Sequence, residues 1–190
     1  RILVTPSGMS KVDVQEHDLV ELNIDGRDVR GRRAPSSEIA MHLRAYRCRA
    51  DVGAVVHAHP PVATGFAVAG EALPDGVLPE MVVQVGPVPL VPYATPGTGT
   101  LADAMEPFLP NHNAFLLANH GATTLGATLV EAHQRMESLE QSARILLTAR
   151  LLGRVNPLSA RAVEALIATR QRAGAAGLPG LTPDELRSDA

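Results

Sequence analysis

Ala114-Phe115-Leu116-Leu117-Ala118-Asn119-His120-Gly121 is a run of five apolar residues that passes directly into a polar turn. A short continuous apolar run bounded by turn residues reads as a strand of the core. A second stretch has the same form. Ala54-Val55-Val56-His57-Ala58-His59 ends on Pro60-Pro61, and proline cannot donate to a strand ladder, so the strand stops there. Both strands finish on histidine.

Helical patterns fill the chain around these strands. Pro35-Ser36-Ser37-Glu38 opens one: Ser36 or Ser37 can cap the free backbone N–H groups, and Glu38 in the first turn suits the helix dipole. Ile39, Leu43 and Tyr46 recur at helical spacing to about Arg49. Val62 to Ala69 and Thr100 to Leu109 read as shorter helices. Leu129 to Leu152 is a long one, with Met136, Leu139, Ala143, Leu146 and Leu147 as its apolar stripe, and Pro157 separates it from a last helix around Ala162 to Thr169. Ile2 to Val4 and the alternating Leu19 to Ile24, which runs into Asp25-Gly26, predict antiparallel strands. Met81 to Val85 and Val88 to Val91 read as two further strands around Gly86-Pro87. The sum is one mixed α/β domain over residues 1–173. Gly174 to Ala190, rich in Gly, Pro and charge, is expected to be a flexible tail.

Composition narrows the function. With 190 residues, 45% of them apolar, and 19% charged, the chain has material for a self-sufficient core. A net charge of −3 gives no general attraction to nucleic acid or to an anionic membrane surface. Cys48 is the single cysteine, so no disulfide can form within the chain. No apolar run approaches the ~20 residues that span a bilayer, and no signal-peptide pattern opens the sequence, so a cytoplasmic protein is expected. The chain begins on Arg1 just before the apolar Ile2-Leu3-Val4, which predicts further residues upstream.

The histidines carry the chemistry. In an extended chain residues i and i+2 point to one side with Cα atoms ~6.6 Å apart, so His57 and His59 can converge on one ion. Alone, the pair reads equally well as two surface histidines near a turn. His120 at the end of the other core strand supplies a third imidazole, and three protein ligands with positions left for substrate or water make an open zinc site. Gly121 allows a close backbone approach or a left-handed turn. His17, His42, His112 and His133 sit in polar or helical contexts and read as surface or capping residues. Glu38 is a candidate base, or simply a helix-start glutamate. Ser7-Gly8 and Ser36-Ser37 are a turn and a helix start, places where unpaired N–H groups favour an anion.

Taken in order, Thr5-Pro6-Ser7-Gly8, Pro35-Ser36-Ser37-Glu38, Val56-His57-Ala58-His59, Pro92-Tyr93-Ala94-Thr95 and Asn119-His120-Gly121 resemble the class II aldolase/adducin family, from Ile2 to about Gly153. The resemblance implies α/β/α layers around a mainly antiparallel sheet, in a four-fold homotetramer with active sites at subunit interfaces. It implies that His57, His59 and His120 hold Zn2+, and that Glu38 is the acid/base and also touches the metal in some resting states. Imidazoles accept Mn2+ or Co2+ as well. It further implies that Ser7, Gly8, Ser36 and Ser37 bind the substrate phosphate, and that Tyr93 reaches into a neighbouring subunit's site to protonate the aldehyde oxygen. The implied reaction cleaves a ketose 1-phosphate, of the L-fuculose 1-phosphate kind, to dihydroxyacetone phosphate and an aldehyde through an enediolate.

Other members of the family are epimerases, dehydratases and decarboxylases. Adducin heads use the same fold as a binding module and have lost the metal ligands. The epimerases usually place Asp where Glu38 stands. The family's upstream Gly-Asn phosphate contact precedes Arg1, and residues 174–190 show no counterpart of its C-terminal substrate segment.

Overall fold

The computed structural model describes residues 1–172; the expected tail, 174–190, lies outside them. Along the chain run β1 (Ile2–Val4), β2 (Val20–Leu22), α1 (Ile39–Cys48), β3 (Ala54–Ala58), α2 (Pro61–Ala69), β4 (Leu90–Val91), α3 (Gly99–Met105), β5 (Ala114–Leu117), β6 (Gly121–Gly126), α4 (Leu129–Leu151) and α5 (Ala160–Arg172). The main sheet has the order β3-β6-β5-β4, antiparallel except for the β4–β5 pair.

Strand alternation builds the layers. On β5, Ala114 and Leu116 join Ala63, Phe66, Ala67, Met136, Leu139, Ala143 and Leu146 beneath α2 and α4. Phe115 and Leu117 face the other way, toward Met41, Ala45, Leu101 and Met105 of α1 and α3. Successive side chains on opposite faces therefore feed two apolar layers, and the fold is α/β/α. β1 and β2 pair antiparallel as a separate small sheet, whose Val4, Val20 and Leu22 pack on Leu43 of α1.

Two expectations need correction, and one strand adds to them. Met81–Val85 is a π-helical turn and not a strand. Its Met81, Val82 and Val85 are buried, a spacing of one and four that suits a helix packed between α4 and α5. Gly86, at φ 84°, closes the turn by donating its N–H to Met81 O at 2.7 Å. Here burial overrides the β-propensity of a valine-rich run. Leu147 is 41% exposed and stands outside the stripe of α4, where Arg135 and Ser142 are buried instead. The strand 121–126 is the addition. Gly121-Ala122-Thr123-Thr124-Leu125-Gly126 carries no long apolar run, yet β6 is wholly buried in the sheet between β3 and β5.

Among the described residues no helix is long and apolar enough to cross a membrane.

Candidate functional site

The β3–β6 ladder and the β5–β6 turn bring the histidines to one end of the sheet. His57 shares a face with Val55, the side of α1, and pairs in register with Thr123. His59 lies just past the end of β3. In the turn Ala118-Asn119-His120, Asn119 takes the left-handed conformation at φ 56°, so the tight reversal needs no glycine there. Gly121 instead provides close approach. A Cβ at that position would stand 2.4 Å from His59 Cδ2 and 2.7 Å from Ala58 O.

One candidate ligand atom from each of His57, His59 and His120 lies within 4.8 Å of the others. Donors around a tetrahedral zinc stand about 3.3 Å apart, so small side-chain movements would close the set on an ion. His57 Nδ1 is 2.9 Å from Ala122 O and 3.2 Å from Thr123 Oγ1. A carbonyl can only accept, so Nδ1 carries a proton, and in the neutral ring Nε2 presents its lone pair.

Glu38 completes the group. Its Oε2 is 2.7 Å from His57 Nε2, and its Oε1 is 3.3 Å from His120 Nε2. Although they are so close, neither Glu38 Oε2 nor His57 Nε2 forms a hydrogen bond, and both are buried. Two lone-pair-bearing atoms facing each other at this distance repel unless a positive charge joins them. Burial pushes the Glu38 carboxyl up, and the imidazoles of His57, His120 and His59 pull it further down, so it lies below its ordinary range. Burial lowers His59 and His120, each with the neighbouring imidazoles and against the pull of Glu38. Burial thus favours the neutral ring at His59 and His120, and a neutral ring beside an anionic carboxylate is the protonation state a divalent cation requires. The residues fit a metal ion.

Glu38 is the N-cap of α1 and does not belong to its first turn, a correction to the expected helix start. The Ser36 hydroxyl accepts the Glu38 N–H at 3.3 Å, which fixes the backbone that aims the carboxylate. The turn that carries Ser7 and Gly8 lies beside the segment that carries Ser36 and Ser37. The Pro6–Pro35 bridge lays the Thr5–Gly8 turn beside the start of α1, with Ser7 N–H donating to Ala34 O and Ser36 N–H to Thr5 O. Those two N–H groups are thus occupied, while Ser7, Gly8 and Ser37 stand exposed. Tyr93 stands 61% exposed after β4, outside the histidine group. Gly97, four residues on, packs against Ser37.

Two residues escaped the sequence reading. His42 is half-buried, one helical turn beyond Glu38. Burial, aided by the His57 charge and opposed by Glu38, brings it down to about 4. Its signal was the i, i+4 spacing from Glu38. Glu140 on α4 accepts the N–H groups of Val62 at 3.1 Å and Ala63 at 2.9 Å, capping α2 immediately after His59. No local pattern announces a cap that comes from 78 residues away. Glu140→Ala should cost about 0.5–2 kcal/mol, a fall in Tm of about 2–4 °C for each kcal/mol lost at this chain length, read by thermal denaturation.

The sequence profile described as Class II Aldolase and Adducin N-terminal domain matches residues 1–147. A 5-deoxy-D-ribulose 1-phosphate aldolase of Bacillus thuringiensis serovar kurstaki is 37% identical over 153 residues, covering 80% of this chain and 71% of its own. A 3-oxo-tetronate 4-phosphate decarboxylase of Escherichia coli is 34% identical over 149 residues, 76% of this chain and 70% of its own. Among solved structures, an L-fuculose 1-phosphate aldolase superposes with a TM-score of 0.82 at 35% identity, covering 89% of this chain and 79% of that one. Sequence and architecture thus agree over the part of the chain that carries the histidines, and the chain belongs to the class II aldolase and adducin family.

Proposed function

We propose that this protein is a metal-dependent aldolase that cleaves a ketose 1-phosphate to dihydroxyacetone phosphate and an aldehyde. The observation that carries the reading is the convergence of three imidazoles and the buried Glu38 carboxylate on one point. An adducin-like binding module has no use for such a costly arrangement of buried polar atoms. Bound there, a divalent cation, Zn2+ or another that imidazole accepts, would supply Lewis-acid stabilisation of the negative charge that develops on the ketose oxygens.

The chain's own groups do the rest. The hydroxyls of Ser7, Ser36 and Ser37, with the Gly8 turn, hold the phosphate and so set the distance from it to the reacting carbons. Cleavage moves one proton from the hydroxyl of the departing aldehyde to the carbon left behind. Glu38, close to the histidines, serves the carbon. Tyr93, exposed on one subunit, serves the aldehyde oxygen in a neighbouring subunit of a homotetramer.

A decarboxylase relative at 34% identity supports a second reading. Loss of carbon dioxide also leaves charge to be spread over an oxygen next to the broken bond, but no leaving hydroxyl has to give up a proton. The protein loaded with Zn2+ and incubated with a panel of ketose 1-phosphates and with 3-oxo-tetronate 4-phosphate separates the two. Release of dihydroxyacetone phosphate from a ketose 1-phosphate, abolished by chelation and restored by metal, is the expected result. Carbon dioxide release alone would replace aldol cleavage with decarboxylation. Absence of stoichiometric metal would overturn both.

A further inference from the structure

His57 and His120 differ in how their far nitrogens are held. His57 Nδ1 has Ala122 O at 2.9 Å. His120 presents Nε2 toward Glu38, yet its Nδ1 is buried without a hydrogen-bond partner. A ring that offers Nε2 to a metal must keep its proton on Nδ1, and a buried N–H without an acceptor is costly. The same region holds a second orphan, for Thr64 Oγ1 on α2 is also buried with no partner.

The backbone brings the two residues that carry these atoms into one neighbourhood. The turn that carries His120 runs along α2 with both ends pinned. Asn119 donates its N–H to Ala67 O at 3.2 Å, and Gly121 packs directly against His59, which precedes α2. His120 stands between the two pins. Thr64 belongs to the helix they flank: its N–H donates to Pro60 O at 2.8 Å, and it stands three residues before Ala67, on the same helix face.

We infer that Thr64 is a positioning residue for the metal site, its hydroxyl oxygen taking the Nδ1–H of His120, directly or through one water, and so fixing the ring with Nε2 toward the ion. The inference rests on the reading of His120 as a metal ligand. It gives α2 a purpose at the site beyond packing, since the same helix follows His59 and orients His120.

Thr64→Val keeps shape and removes the oxygen. Competition with a chromophoric chelator measures affinity for Zn2+ and Co2+, and melting of the metal-free protein measures stability. Affinity is expected to fall about 10- to 100-fold, while the Tm of the metal-free protein holds or rises, because a buried unsatisfied hydroxyl has been taken away. Thr64→Ser, which restores the oxygen, is expected to bind metal like the wild type. A merely structural threonine would move the two readouts together. Affinity of Thr64→Val within twofold of wild type, a fall in its metal-free Tm, or failure of Thr64→Ser to restore binding would each overturn the inference. If the wild type itself bound neither ion, the metal-site reading would fall, and this inference with it.

Discussion

Glu38→Gln is expected to lose about 10²–10⁴-fold in turnover, the usual worth of a general acid–base group, while the protein remains folded and keeps its metal. Glutamine retains the shape and one acceptor oxygen but cannot carry the proton. The effect should be clean because the side chain of Glu38 makes no capping hydrogen bond to α1, so its loss leaves the helix start held by Ser36. The carboxylate lies below its ordinary range because three imidazoles outweigh the effect of its burial, and glutamine has no such charge to offer. Steady-state kinetics with elemental analysis on the same sample provides the check. Near-full turnover in a metal-loaded variant would remove Glu38 from the chemistry.

The second large effect is expected at Gly121. A methyl group there would sit 2.4 Å from the His59 ring and 2.7 Å from the Ala58 carbonyl. The ring is a flexible neighbour and can turn away. The carbonyl cannot, since Ala58 is paired in register with Ala122 in the β3–β6 ladder. Gly121→Ala therefore either pushes His59 from the histidine group or parts the strands beside it. Overpacking of this kind costs about 1–3 kcal/mol, and disturbing one of the three proposed ligands should weaken metal binding by at least the 10- to 100-fold expected when a ligand's support is lost. Metal affinity and melting temperature, measured together, test this. Unchanged affinity would mean that His59 is not held where the contact with Gly121 places it.

Gly121 also shows how far sequence reading reaches. From Asn119-His120-Gly121 the glycine could serve either a left-handed turn or a close approach. In the structure Asn119 takes the left-handed conformation and Gly121 the close approach, a division that depends on where His59 arrives from another strand. The valine-rich 81–85 has a similar lesson. Its composition favours a strand, but the environment between α4 and α5 winds it into a helical turn, because burial of two adjacent residues and a third four along is a helical demand.

The sequence by itself determined the two apolar strands, the helices that follow them, and the three histidines and glutamate available for chemistry. These are local properties: apolar runs, helical spacing and proline stops act within a few residues of themselves. Only the tertiary structure decided that β6 lies between β3 and β5, that Ala122 O takes the Nδ1 proton of His57, that Glu140 caps the helix after His59, and that Glu38 Oε2 meets His57 Nε2 unbonded. Each is a meeting of groups far apart along the chain, and it is chain folding, through strand register and helix packing, that sets the distances between them.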